Sequence, residues 1–115
     1  MSLTLTTTLT LSSQSVANNT STVAWKVKYS KSSTTYNNNG VDYYVNVDGT
    51  RVKSGTWTPK KGTTSGTIAS GTTTIKHNAD GTHAQIRAYA KVYNTGFSPS
   101  SADDYSAYLT LPKIV

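Results

Sequence analysis

The sequence predicts an all-β fold, an immunoglobulin-like β-sandwich of seven or eight antiparallel strands. Three observations carry that prediction. Stretch after stretch alternates apolar and polar residues with a period of two, the mark of a strand with one buried face. Thr and Ser fill almost a third of the chain and Glu is absent, so the composition favours strands and is short of the usual helix formers. Nowhere do apolar residues keep the three-and-four spacing of an amphipathic helix.

The elements follow in order. Leu3, Leu5, Leu9 and Leu11 alternate with Thr, and Thr6-Thr7-Thr8 keeps the period, giving a first strand or two short ones. Residues 12–19 read as a turn region anchored by Val16. Asn18-Asn19-Thr20 and Asn19-Thr20-Ser21 match the N-glycosylation acceptor pattern, which has meaning only in a eukaryotic secretory protein. Residues 22–29 are the clearest strand, with Val23, Trp25, Val27 and Tyr29 on one face and Ala24, Lys26 and Lys28 on the other. Residues 30–40 are a polar loop whose one large side chain is Tyr36. In the next strand Val41, Tyr43, Val45 and Val47 face inward and Asp42, Tyr44 and Asn46 outward. Asp48-Gly49 then marks a hairpin, because its tight turn needs positive φ at both central residues. On the return strand Val52 and Trp57 have opposite parities, so a bulge near Ser54-Gly55 is expected to bring both into the core. Pro59-Lys60-Lys61-Gly62 is a turn carrying two cations.

Residues 70–92 organise the rest. They read as a hairpin of two long strands around the corner His77-Asn78-Ala79-Asp80-Gly81, whose Asn, Asp and Gly take turn dihedrals at little cost. Thr73 and Ile75 face inward on the first strand, and Ala84, Ile86, Ala88, Ala90 and Val92 on the second. A strand lined by Ala cannot fill a core alone, so Trp25, Trp57 and Tyr43 must reach it. Residues 93–99 are another loop. Residues 104–111 are the last strand, with Tyr105, Ala107, Leu109 and Leu111 inward and Ser106, Tyr108 and Thr110 outward; Pro112 ends it. Lys113-Ile114-Val115 reads as the start of a linker.

Length bounds the organisation. The 115 residues suit one domain with its own core, so 1–115 is read as a single β-sandwich. Met1-Ser2-Leu3 is either a native start or a cloning boundary. Without Cys there is no disulfide framework and no thiolate zinc cluster. No apolar run has the length of a signal peptide or a membrane span. The net charge of +6, from 11 Lys and Arg against 5 Asp, allows contact with an acidic polymer. The cations are scattered, however, which is also how a solvated surface looks and argues against nucleic acid.

Three stretches, SQSVANNTSTVAWKV, SGTWTPKKGTTSGTIASGTTTIKHNADGT and YLTLPKI, together resemble a repeated domain of minor structural proteins in siphophage tails, from phages of Gram-positive hosts such as streptococci. The resemblance runs from Leu9 to Ile114 and is most specific at Gly55-Thr56-Trp57-Thr58-Pro59 and at the His77–Gly81 corner. It implies a β-sandwich module of a longer tail fibre, tip or baseplate-associated protein, located in the virion tail and assembled in the host cytoplasm. Its partners would be other tail subunits or repeats of the same chain. The resemblance supplies no catalytic motif and no binding residues.

Site candidates therefore come from the residues alone. His77, Asp80 and His83 are the types that hold zinc, but they sit at a diverging corner without metal-ligand spacing, and no metal or cofactor is expected. His83 is placed to tie the corner down. No paired carboxylates, Ser-His-Asp arrangement or phosphate-cradling glycine loop is visible; adjacent Asp103 and Asp104 point to opposite faces. The chain is read as not an enzyme. The eight Tyr exceed what a core of this size can use. Parity puts Tyr44, Tyr89 and Tyr108 on outward faces of strands that are neighbours in an immunoglobulin-like order, with Arg87 and Lys91 beside them. Such a stripe either stabilises an exposed sheet by cross-strand pairing or stacks on sugars and pairs with acidic groups.

The first functional expectation is a non-enzymatic tail module, a spacer or a host-surface adhesion domain touching an anionic cell-wall polysaccharide. The alternative is a carbohydrate-binding module of a secreted bacterial enzyme or adhesin. A nucleic-acid binder is favoured by charge alone and would lose affinity steeply with salt.

Overall fold

The computed structural model describes residues 3–32, 40–59, 63–95 and 101–114. Seven strands lie among them: β1 (Leu3–Ser15), β2 (Thr20–Lys31), β3 (Val41–Val47), β4 (Thr50–Trp57), β5 (Ser65–Lys76), β6 (Ala88–Tyr93) and β7 (Ser101–Tyr105). One sheet has the order β1-β2-β5 and the other β4-β3-β6-β7, with antiparallel pairing throughout. The predicted all-β sandwich is the fold. In a constant-type immunoglobulin domain the fourth strand belongs to the sheet of the first, second and fifth. Here the tight hairpin keeps β4 beside β3 instead. The loop at 33–39 with Tyr36, the cationic turn at 60–62 and the loop at 96–100 lie outside the described residues.

The core forms where the inward parities of the two sheets meet. Val23, Trp25, Val27 and Tyr29 of β2 face Val41, Tyr43, Val45 and Val47 of β3 and Ala88, Ala90 and Val92 of β6, all buried in one cluster. Three core aromatics find their space above glycines. Trp25 pairs across the sheet with Gly71, Tyr29 with Gly66 and Tyr43 with Gly55. A Cβ on Gly71 would stand 2.8 Å from the Trp25 ring, and one on Gly66 3.0 Å from the Tyr29 ring. Glycine weakens a strand by its lost packing, and here the neighbouring ring lies in the space a side chain would fill.

Side-chain contacts join the sheets along their length. Tyr29 packs on Trp57 with ring centroids 4.7 Å apart. The Thr7 amide, on the edge of β1, donates to the Asp104 carboxylate of β7 at 2.7 Å. At the other end of the molecule, His77 is buried in the corner after β5. Its Nδ1 donates to the Gly81 carbonyl at 2.8 Å, and its Nε2 meets the Ser21 hydroxyl at 2.6 Å.

Several expectations need correction. Residues 70–92 are not a hairpin: β5 pairs with β2 and β6 with β3 and β7, so the corner crosses between sheets. The second strand starts at Ala88, and Ala84 is exposed. The bulge in β4 falls at Val52, between the pairs Val45–Lys53 and Asn46–Arg51, two residues earlier than expected. Val52 still packs on the core and Trp57 is buried within it. Residues 12–15 continue β1, and Val16 is 69% exposed in the turn rather than anchoring it. His77, not His83, ties the corner down. The final strand ends at Tyr105, where parity breaks: Ser106 is buried, its Oγ accepting from the Ala88 amide at 2.8 Å, while Tyr105 and Ala107 are exposed. Leu109 resumes inward packing through a bridge to Ile86. Ile114 does not begin a free linker. It is buried, and its amide donates to Gly81 at 2.9 Å. Gly81 has φ +86°, and a Cβ there would collide with the Ile114 carbonyl.

Candidate functional site

β3, β6 and β7 lie side by side, so their outward residues share one surface. Asp42, Tyr44 and Asn46 of β3 alternate with core residues, as do Tyr89, Lys91 and Tyr93 of β6. Register sets Tyr44 across from Lys91, Lys91 across from Asp103, and Tyr89 across from Tyr105. The predicted Tyr44, Tyr89 and Lys91 therefore fall on one face, and Arg87, just before β6, and Tyr108, beyond the end of β7, join it through the contacts that follow.

The side chains form a continuous row across all four strands of the sheet. The Arg51 guanidinium of β4 lies over the Tyr44 ring, 4.2 Å from its centroid. Tyr44 tilts against Tyr89 at 6.1 Å, and Tyr89 against Tyr105 at 4.5 Å. The Arg87 guanidinium then sits 3.9 Å from the Tyr105 centroid and 4.8 Å from that of Tyr108. Tyr93 branches from Tyr44 at 6.1 Å. Each step is a tilted aromatic or cation–π contact, so the rings hold one another in place. Tyr105 and Tyr108 are 53% and 59% exposed.

Hydrogen bonds fix the row's polar edges. The Tyr89 hydroxyl donates to Asp103 at 2.8 Å. Burial first, and then that bond and the carboxylate's charge, push the Tyr89 phenol well above the ordinary tyrosine range. Asn94 donates to Asp42 at 3.0 Å. Arg51, Arg87 and Lys91 thus share the face with Asp42 and Asp103, which makes it amphiphilic rather than strongly basic.

Sequence parity missed three members. Tyr105 reads as inward in the sequence, because parity counted back from Leu109 and Leu111 passes through the break at Ser106-Ala107. Tyr93 reads as part of a loop in the sequence, although it continues the alternation of Tyr89 and Lys91 at the end of β6. Arg51 was hidden by the displaced bulge, and no local signal reveals it.

The metal candidates do not converge. Among the described residues no group of three or more His, Cys, Asp or Glu could hold an ion. His77 and His83 rings are 5.6 Å apart in an edge contact, His77 being committed to Ser21 and Gly81. His83 Nδ1 donates to the Ala84 carbonyl at 2.7 Å, and its Nε2 is 3.7 Å from Asp48. Asp80 accepts from the Thr82 hydroxyl and amide, which hold its carboxyl below the usual range. Asp103 and Asp104 diverge, one to Tyr89 and the other to Thr7.

A family model described as siphovirus protein of unknown function (DUF859) matches residues 2–115. No curated protein and no solved structure matches the chain.

Proposed function

The chain belongs to this siphovirus protein family, and on that premise we propose that it is a non-enzymatic structural module of the phage tail, in a fibre or tip protein, that contacts the host cell surface. Family membership points to a component of the virion. The observation that carries the finer reading is the row from Arg51 to Tyr108. Mutually braced rings, exposed at Tyr105 and Tyr108 and half-buried at Tyr44, Tyr89 and Tyr93, offer apolar contact at little entropy cost, as sugar rings require for stacking on their C–H faces. Arg51, Arg87 and Lys91 are placed to pair with anionic groups of a cell-wall polysaccharide, while Asp42 and Asp103 accept from its hydroxyls. A nucleic-acid groove would need cations tracking a backbone, and the carboxylates on this face speak against it. The same face would serve a carbohydrate-binding module of a secreted enzyme or adhesin, but the siphovirus family favours a component of a phage.

The spacer reading has its own support. The molecule measures 52 × 20 × 18 Å. Leu3 pairs with Lys31 at one end, while Ile114 docks on Gly81 beside the Asn19 turn at the other. That geometry suits modules joined end to end, with repeats of the same chain or other tail subunits as neighbours. Adsorption separates the two readings. Incubated with purified Gram-positive cell walls at low salt, an adhesion module is retained saturably. Its charged part weakens as ionic strength rises and its stacking part persists. A module that only spaces is not retained at any salt concentration.

A further inference from the structure

A cleft of about 320 Å³ opens at the hairpin end of the row, where the Asp48-Gly49 turn meets the segment leading into β6. We propose that this cleft binds one uncharged sugar unit, a hexose or N-acetylhexosamine, of the polysaccharide that the row contacts; the inference rests on the wall-contact reading above. The volume lies at the lower end of the range for small-molecule sites, about 300–1,000 Å³.

The lining decides the chemistry. Asn46 lines the cleft, and its side-chain oxygen is buried without a hydrogen-bond partner. A buried acceptor in that state favours a ligand that donates. The Asp48 carboxylate, also in the lining, has a side chain 45% exposed and is a second acceptor. Tyr105 and Tyr108 contribute aromatic walls, with the Arg87 guanidinium 3.9 and 4.8 Å from their ring centroids. The guanidinium carbon lies over both rings, and its N–H groups remain to donate to ligand oxygens. Ile86, buried at 1% exposure, gives an apolar patch. Two acceptors, a positioned donor and flat apolar walls match a sugar, whose hydroxyls donate and accept and whose ring is apolar on its faces. A carboxylate or phosphate would meet the Asn46 oxygen and the Asp48 charge, and is disfavoured.

The test is a titration of the isotope-labelled protein with N-acetylglucosamine, galactose and glucuronate, followed by amide NMR signals. The inference expects saturable shifts at Asn46, Asp48 and Gln85 with an uncharged sugar, at a Kd on the order of 1 mM. Glucuronate binds about tenfold more weakly or not at all. Asn46→Leu and Tyr105→Ser each weaken binding by about tenfold or more, and Tyr105, being half exposed, can be changed without unfolding the sheet. Lys28→Ser, at an exposed position on β2 of the other sheet, leaves Kd within about twofold. No saturable shift up to about 100 mM, equal response to glucuronate, or indifference to both cleft substitutions overturns the assignment. Retention on cell walls without sugar shifts in the cleft would leave the row's function standing and remove this site. Sugar binding in the cleft without retention on walls would do the reverse.

Discussion

Trp25 is accommodated because residue 71 is glycine. The ring of one strand occupies the volume that a side chain on its partner would take, a pairing repeated by Tyr29 with Gly66. Gly71→Ala sets a methyl 2.8 Å from a ring carbon in a packed core, and its overpacking should cost about 1–3 kcal/mol in chemical denaturation. Trp25→Ala leaves a cavity and should cost ~3–5 kcal/mol, enough to unfold a marginal domain. A melt unchanged by either substitution would mean the ring does not sit there. Tyr89 makes a second prediction at this scale. Its phenol pKa is raised in the folded state, so the fold favours the neutral form. The stability this confers is complete below the unfolded tyrosine value of about 10. It is lost as pH rises through the folded value. In an ultraviolet phenolate titration Tyr89 should ionise among the last, and Tyr89→Phe should remove a late step. Loss of an early step instead would contradict the burial and the Asp103 bond.

Among the elements, the β3–β4 hairpin is the most sharply specified. Asp48 and Gly49 both have positive φ, 52° and 77°, as the two-residue turn demands. No atom stands within 4 Å of a Cβ at Gly49, so Gly49→Val tests backbone strain without a clash. It should cost about 1–2 kcal/mol or more by thermal denaturation, against at most about 0.5 kcal/mol for an ordinary surface change. β2 and β3 were legible because unbroken alternation over a buried face fixes parity, and Asp-Gly fixes the turn. Other elements were not, for physical reasons. A corner rich in Asn, Asp and Gly says that the chain turns, but not whether it returns to the same sheet. That choice depends on the partners β2 and β3, far away in sequence. Val52 and Trp57 require a bulge, yet any residue between them satisfies the parity. The break at Ser106 depends on a hydrogen bond to Ala88, which no local pattern announces.

At the scale of the molecule, a rod of two sheets places β3, β6 and β7 together and gathers onto one face aromatics from three distant stretches of chain. The sequence revealed Tyr44, Tyr89, Tyr108, Arg87 and Lys91 because excess tyrosine and outward parity are local properties. It did not reveal that Arg51, Tyr105 and Tyr93 complete the row, because their places depend on a bulge, a parity break and a strand end. The row is also where stability and function separate most cleanly. Its residues point away from the core, so removing them should spare the fold.

The most direct measurement is retention of the Tyr44→Ser, Tyr89→Ser, Tyr108→Ser triple variant on host cell walls, beside the wild-type protein and with a circular dichroism spectrum of each. The spectra should match, the wild type should be retained saturably at low salt, and the variant should not be retained. Equal retention of both proteins, or none of the wild type, would contradict the claim that this face contacts the host.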